Sequence, residues 1–506
     1  MKFELLSPSE MGEADRRAIA AGPFDGMDLM RNAGAAAATA VLERFPAAPC
    51  VHVLCGPGNN GGDGYVVARL LSESGATVAL WASGHPNVGG DAALAASECL
   101  LPARPLAEFD ARRGDIIVDA LYGAGLSKPL TGADAEAIEK ASGLGLTVVA
   151  IDLPSGVSGA SGAILEKAFH ATLTVTFARK KPGHLLLPGR ERCGEVVVAD
   201  IGIGDDVIEA LKVRTFANDP ALWRAALPRP AVDTHKYKRG HVGVFSGGPS
   251  ATGAARLSAL AAARSGAGAV TVLSPGNALA VNAMHLTAIM LRKVDGDADL
   301  SAFLADRHPS AFVLGPGFGV GGRARGFALA VLGGGATPQD EKAAAEALVL
   351  DADGITSFRD EPNRLFEAAG RAGAPMLALT PHEGEFARLF PDLAADRELS
   401  KLEKARQAAA RSHGVVVYKG PDTVIASPDG RAAINANGAP WLATAGSGDV
   451  LAGIVAGLSA QGMPAFEAAC AAVWMHAEAG SRFGPGLIAE DLPAALSPVL
   501  RELLAR

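Results

Sequence analysis

Short apolar runs, each closed by a polar or glycine-rich turn and followed by an alanine-rich stretch of helical period, recur along most of the chain. In the first half they fall at residues 51–54, 77–81, 116–118, 147–151 and 173–177. Their near-continuous apolar character implies burial on both faces, as in a parallel sheet covered by helices. Leu29, Met30, Ala33, Ala37, Val41 and Leu42 recur at helical spacing within 27–45, so a helix precedes the first strand. The second half restarts at His235, with strands expected at 242–245, 270–273, 311–314, 347–350, 376–379, 415–418 and 423–426 and a helix over 253–265. Between 205 and 233 the regularity fades into Pro220, Pro228 and Pro230 among charges, which marks a boundary. The fold class is therefore α/β, with a doubly wound layer in the first half. Residues 321–335, rich in glycine and alanine, read as either loop or helix.

Length supports the division, because 506 residues is about three times the commonest domain size. The expected organisation is a first domain over 1–215, a linker over 216–232 and a second domain over 233–506. A net charge of -8, with no lysine and arginine run, argues against a nucleic-acid partner. The five cysteines are irregularly spaced and suit a reduced, cytoplasmic protein. Charges through the first turns exclude a signal peptide. The uncharged stretch 266–291 carries Pro275, Asn277, Asn282 and His285, and reads as strand, turn and helix instead of a membrane span.

Two loops carry the chemistry. Gly56-Pro57-Gly58-Asn59-Asn60-Gly61-Gly62-Asp63-Gly64 follows the first strand and formally fits a dinucleotide-binding fingerprint. However, Trp81-Ala82-Ser83-Gly84 stands where an acid would hold a ribose, and Asn59, Asn60 and Asp63 add polar atoms that could ligate a hard cation or grip a phosphate and sugar. Asp119 and Asp152 end two further strands of the same sheet, so three polar strand ends can converge. Far along the chain, Gly446-Ser447-Gly448-Asp449 opens an apolar helix, where amides and a carboxylate together suit phosphoryl transfer. No phosphate-loop lysine motif and no zinc-ligand spacing occur.

In order, the first loop, Asp119-Ala-Leu-Tyr-Gly-Ala-Gly-Leu126, Asp152-Leu-Pro-Ser-Gly-Val157 and Thr176-Phe-Ala-Arg-Lys-Lys-Pro-Gly183 resemble the NAD(P)H-hydrate epimerase family over about residues 1–215. The resemblance implies a Rossmann-like α/β/α domain that interconverts the C6 epimers of hydrated NADH or NADPH. It implies substrate contacts from Asn59, Asn60, Gly61, Gly62, Asp63, Gly123, Ala124, Gly125, Leu126, Ser127, Lys128 and Pro129. It further implies catalysis by Asp152, with Lys181 a second acid/base candidate, and potassium held by Asn60, Asp119 and Ser155.

The second half, through Lys238-Arg-Gly-His-Val-Gly-Val-Phe-Ser-Gly-Gly248, Gly253-Ala-Ala255, Gly315-Pro-Gly-Phe-Gly319, Asp351-Ala-Asp-Gly354, Thr380-Pro-His-Glu-Gly-Glu385, Lys419-Gly-Pro-Asp-Thr423 and the terminal glycine loop, resembles the ADP- or ATP-dependent NAD(P)H-hydrate dehydratase family, of ribokinase-like fold. By that resemblance Lys419, Gly420, Pro421, Asp422, Thr423 and Gly448 hold the adenine nucleotide with magnesium, Ala254, Gly317, His382 and Asp449 face the hydrate, and Asp449 is catalytic. Two departures are Asn437-Gly-Ala-Pro-Trp-Leu-Ala-Thr-Ala-Gly446 in place of a more regular glycine run, and Thr356 where asparagine is usual. The family also implies a homo-oligomer. Two other classes compete: a small-molecule kinase fused to a cofactor-binding regulatory domain, and a non-catalytic nucleotide sensor. The joint presence of Asp152 and Asp449 favours catalysis, since a sensor needs amides but no proton handlers.

Overall fold

The computed structural model describes residues 3–333 and 345–505, which form two compact units, one ending at Thr215 and one starting at Phe216. In the first, strands β1 (Val51–Cys55), β2 (Val78–Ala82), β3 (Ala103–Pro105), β4 (Ile116–Ala120), β5 (Thr147–Ile151), β6 (Leu173–Phe177) and β7 (Glu195–Ala199) build one parallel sheet in the order β3-β2-β1-β4-β5-β6-β7. Strands β1, β4 and β6 are buried along their whole length, as their unbroken apolar runs require. Helices Gly26–Arg44 and Asn59–Glu73 cover one face, packing Met30, Ala33, Ala37 and Val41 against Val53, Val66 and Val118. The other face packs Leu54, Trp81, Ile117 and Val148 under helix Ala133–Leu144. Because β1 pairs with both β2 and β4, the sheet order reverses there, and the loops after β1 and β4 open a crevice at the carboxyl ends of the strands.

The second sheet follows the same logic with ten strands: β8 (Thr215–Ala217), β9 (His241–Phe245), β10 (Ala269–Ser274), β11 (Met290–Lys293), β12 (Ala311–Leu314), β13 (Ala347–Leu350), β14 (Met376–Leu379), β15 (Val415–Tyr418), β16 (Val424–Ala426) and β17 (Ala432–Ile434). Their order is β11-β10-β9-β12-β13-β14-β15-β16-β17-β8, parallel from β11 to β15 and antiparallel through β16 and β17. The reversal lies between β9 and β12. Helices Gly253–Arg264, Ser447–Ser459 and Ala465–Phe483 supply small buried side chains such as Ala259, Ala262, Gly453 and Ala469, so backbones approach closely over this face.

Residues 216–232, expected as a linker, are partly built into the second unit: Trp223 is 1% exposed inside its core, and its indole N–H donates to Asn218 Oδ1 at 3.1 Å. Asn218 in turn donates to Asn435 Oδ1 and the Cys470 carbonyl, both at 2.9 Å. Helix Gly322–Leu332 occupies most of the ambiguous 321–335 segment, whose last two residues lie outside the described residues. No helix among the described residues is long and apolar enough to cross a membrane.

Backbone crowding at the reversals explains two glycines. A methyl group on Gly56 would lie 1.9 Å from the Leu121 carbonyl oxygen, and one on Gly247 1.9 Å from that of Gly317. In each case the loops after the two strands flanking the reversal touch through main chain. Gly56→Ala is accordingly expected to destabilise the first unit by about 3 kcal/mol through overpacking, read as a lowered melting midpoint. Gly125→Ala, where nothing lies within 4 Å of the new methyl group, leaves the midpoint within error.

Candidate active sites

Asp152 directly follows β5 and takes a left-handed conformation, φ 66°. For a non-glycine residue this costs on the order of 1–3 kcal/mol, so surrounding bonds must hold it. They do. Its Oδ1 accepts from Lys181 Nζ at 2.6 Å and Thr176 Oγ1 at 2.9 Å, and its Oδ2 accepts from the Ala124 amide at 2.8 Å. Lys181 is 1% exposed and also donates to Thr176 Oγ1 at 3.0 Å. His184 Nδ1 accepts from the Lys181 amide at 2.9 Å, so its Nε2 carries the proton and donates to the Asp152 carbonyl at 2.8 Å. Burial holds that imidazole neutral, with a pKa lowered to about 4. Burial alone would raise Asp152, but the Lys181 charge and hydrogen bond and the Ala124 amide outweigh it and bring the carboxyl down to about 2.

Asp119, at the end of β4, is fully buried and accepts from the Ser155 amide at 2.7 Å and the Ser155 hydroxyl at 2.6 Å. Ser155 Oγ also accepts from the Tyr122 amide at 2.8 Å, which ties the β4 and β5 loops together. Burial pushes the Asp119 carboxyl up to about 6 against these bonds. Asn60, at the start of helix Asn59–Glu73, reaches the Ile151 carbonyl at 3.1 Å and the Gly123 amide at 3.3 Å with opposite ends of its side-chain amide.

These groups meet at a cavity of about 720 Å³. Asn59, Asn60, Asp63, Asp152, Lys181 and every residue from Gly123 to Pro129 line it. Gly61 and Gly62 do not, since their α-carbons press on the Gly56 carbonyl and the Met30 side chain. Asp119 and Ser155 stand behind the lining. Sequence reasoning passed over Asp15, Tyr122 and Asp134, which also line the cavity. Tyr122 Oη donates to Asp134 at 2.8 Å, and Ser83 Oγ bonds the other oxygen of that carboxylate. A capping box, Ser7 with Glu10 behind Pro8, is the signal that could have revealed helix Pro8–Ala21 and thus Asp15.

In the second unit the glycine loop opens helix Ser447–Ser459, with Gly446 at φ 89° and Asp449 in the first turn. Lys419, just past β15, donates to Asp351 Oδ1 at 2.7 Å and lies 3.7 Å from Glu385 Oε2. Asp351, just past β13, also accepts from Thr380 Oγ1 at 2.8 Å. A methyl group on Gly448 would sit 3.4 Å from Lys419 Nζ, so the loop amides, the lysine and Asp351 share one spot. Burial, reinforced by the Asp351 charge, pushes Asp449 up to about 7 despite Lys419.

Ala254 and Gly317 adjoin across the β9/β12 reversal: a methyl group on Gly317 would lie 3.4 Å from Ala254 Cβ. The nucleotide segment forms a closed turn in which Thr423 Oγ1 accepts from the Gly420 amide at 3.1 Å and donates to the Gly420 carbonyl at 2.7 Å. Lys401, not anticipated from sequence, pairs with Asp422 at 2.6 Å. His382 caps helix Glu383–Leu389, its Nδ1 accepting from the Gly384 amide at 2.9 Å, and its ring is 55% exposed. No group of three His, Cys, Asp or Glu side chains able to hold a metal occurs among the described residues. A metal bound by this chain therefore needs main-chain, amide or substrate oxygens.

Comparison with known proteins covers both halves. The family model for YjeF-related protein N-terminus matches residues 26–183, and that for NAD(P)H-hydrate dehydratase matches 242–499. The bifunctional NAD(P)H-hydrate repair enzyme Nnr of Moorella thermoacetica is 34% identical over 528 residues, spanning 99% of this chain and 97% of that protein. The enzyme of the same name from Coxiella burnetii is 33% identical over 500 residues, spanning 96% of this chain and 97% of its own length. A solved structure of the ADP/ATP-dependent NAD(P)H-hydrate dehydratase from Bacillus subtilis, co-crystallised with ATP and magnesium, matches with 25% identity and a TM-score of 0.45 over 57% of this chain and 98% of that one. Relatives of matching length, with one family model on each half, show that the chain belongs to the family of bifunctional NAD(P)H-hydrate repair enzymes.

Proposed function

We propose that this chain repairs hydrated NADH and NADPH in two steps, epimerising the C6 hydrates in the first unit and dehydrating the S hydrate with ADP or ATP in the second. The observation that carries the reading is the opposite tuning of two carboxylates, one at a strand end and one in the first turn of a helix: Asp152 is held ionised near 2, whereas Asp449 titrates near 7. Inverting a carbon that bears a hydroxyl beside ring nitrogen passes through a cationic ring. A fixed carboxylate next to that ring stabilises it without reorganisation. Lys181, Thr176 and the Ala124 amide keep Asp152 in that state and orientation. The lining side chains Asn59, Asn60, Asp63 and Lys128, with the 123–129 loop, bind the dinucleotide.

Potassium fits the Asn60 end of this cavity. The Asn60 side-chain amide lies between the Ile151 carbonyl and the Gly123 amide, and so brings a hard oxygen to this end. With Asp119 and Ser155 behind, the donor set is all hard oxygen, as potassium prefers. When bound, the ion would supply positive charge to this end of the cavity, held by Asn60, Asp119 and Ser155.

In the second unit, the Gly446–Gly448 amides and Lys419 are placed to meet the nucleotide's phosphates, and Asp351 beside them would help hold a magnesium ion, which would offset phosphate charge. Asp449 takes the proton of the C6 hydroxyl as that oxygen attacks the terminal phosphorus, whose bond to the bridging oxygen breaks and releases AMP or ADP with that electron pair. Phosphate then departs with the C6–O electrons and a C5 proton is lost, restoring the 5,6 double bond.

The full-length chain, given both hydrate epimers with ADP or ATP and magnesium, is expected to return reduced nicotinamide completely, followed by its absorbance. A stable phosphorylated alcohol with no recovered absorbance would overturn the dehydratase assignment. Asp152→Asn should stop conversion near the fraction of S hydrate, its epimerisation slowed roughly 10²–10⁴-fold. Since a base works ionised, dehydration by the native chain should rise with pH and level off above about 7. Asp449→Asn should cut turnover on pure S hydrate roughly 10²–10⁴-fold and remove that limb. Replacing potassium by choline is expected to slow only the conversion of R hydrate.

A further inference from the structure

Protonating the departing C6 oxygen needs an acid, and Asp152 is unsuited to supply it. Its two oxygens already accept three donors, one of them the Lys181 ammonium, and these hold it ionised. Asp15 enters the same cavity from a different layer, helix Pro8–Ala21, whereas Asp152 and Lys181 come from the strand ends. The Asp15 carboxyl has no hydrogen-bond or ion-pair partner among the described residues, and the charges of Lys181, Asp152 and Asp63 reach it through space. A part-buried carboxyl without a donor favours its neutral, proton-carrying form.

We propose that Asp15 is the general acid of the epimerase half, passing its carboxyl proton to the C6 hydroxyl of the hydrated nicotinamide. This rests on the epimerase reading above. The proton joins the hydroxyl oxygen, the C6–O bond breaks with its electron pair on the departing water, and the N1 lone pair closes an N1=C6 double bond. Water then adds to the other face of C6, and the surplus proton returns through the cavity's water to the Asp15 carboxylate. Asp152 stays ionised beside the cationic ring throughout, a division of labour between paired carboxyls set apart by environment.

The electrostatics agree with the geometry. Burial, with the Asp152 charge added and the Lys181 charge opposing, moves Asp15 up to about 6, so it can both hold and release a proton near neutrality. Of the other acids lining the cavity, Asp63 is largely buried and raised well above the carboxylate range by burial, which makes it a poor donor, Asp134 is engaged by Tyr122 and Ser83, and Asp91 enters from helix Asp91–Glu98. An acid works protonated, so the epimerase rate should be greatest below about 6 and fall as pH rises beyond it.

The test uses the full-length chain and a mixture of both hydrates, where recovery of absorbance has a fast phase from S hydrate and a slow phase from R hydrate. Asp15→Asn is expected to slow the slow phase at least ~100-fold over background-corrected native rates, leaving the fast phase and the apparent KM within about threefold. The falling limb above pH 6 should vanish in Asp15→Asn and persist, displaced, in Asp15→Glu. A slow phase in Asp15→Asn within threefold of native, or one that keeps the limb, overturns the proposal. Native chain with a fast phase but no slow phase overturns the epimerase reading itself, and the proposal with it. Thermal melting accompanies each variant, and if Asp15→Asn does not fold, the displaced limb in Asp15→Glu decides: an undisplaced limb refutes the assignment.

Discussion

A charge at the end of a buried parallel strand has to be met by a donor, and most of what is distinctive in this chain follows from how each such carboxylate is met. Asp152 has an ammonium, a hydroxyl and an amide; Asp119 has a serine twice over; Asp351 has a lysine and a threonine. Most of these donors come from the ends of adjacent strands; Lys419 reaches Asp351 from one strand further, β15. The sheet order thereby fixes the electrostatics, because strands adjacent in space present their first turn residues to one another.

Asp449 is the exception, and the exception is informative. It sits at a helix start with no side-chain donor of its own, between the negative Asp351 and the positive Lys419, and burial pushes it toward neutral titration. The helix dipole and the adjacent amides are directed at whatever anion enters. A carboxylate braced like Asp152 is a fixed charge, whereas one left unbraced is a proton carrier. The two units thus use one sheet architecture for opposite electrostatic ends.

Much of this was legible in the sequence. The fully buried strands announced themselves as unbroken apolar runs, and the two glycine loops fell at helix starts, the first directly after a strand. Edge strands did not: β3 is three residues with an arginine and a proline, β7 is half exposed and begins with Glu195, and β11 carries Arg292 and Lys293. An edge strand needs only one neighbour and tolerates polar residues, so its pattern carries little signal. Donors distant in sequence were equally hidden. Nothing local in Lys401 points to Asp422, and nothing in Asp15 points to a cavity whose next polar lining side chain is Asn59. Trp223 and Asn218 were masked by the prolines around them, which read as a linker although the pair is buried.

The Asp119–Ser155–Tyr122 bonds close a ring between two loops behind the lining of the first cavity. A wall stapled in this way adapts little to its occupant. An isomerase must nevertheless accept mirror arrangements at one carbon with comparable ease, since it has to release as product what it can also bind as reactant. With stiff walls that tolerance falls to the guest: the dinucleotide's own torsions let either hydroxyl orientation present itself, and the pocket is selective for the coenzyme while indifferent to its handedness.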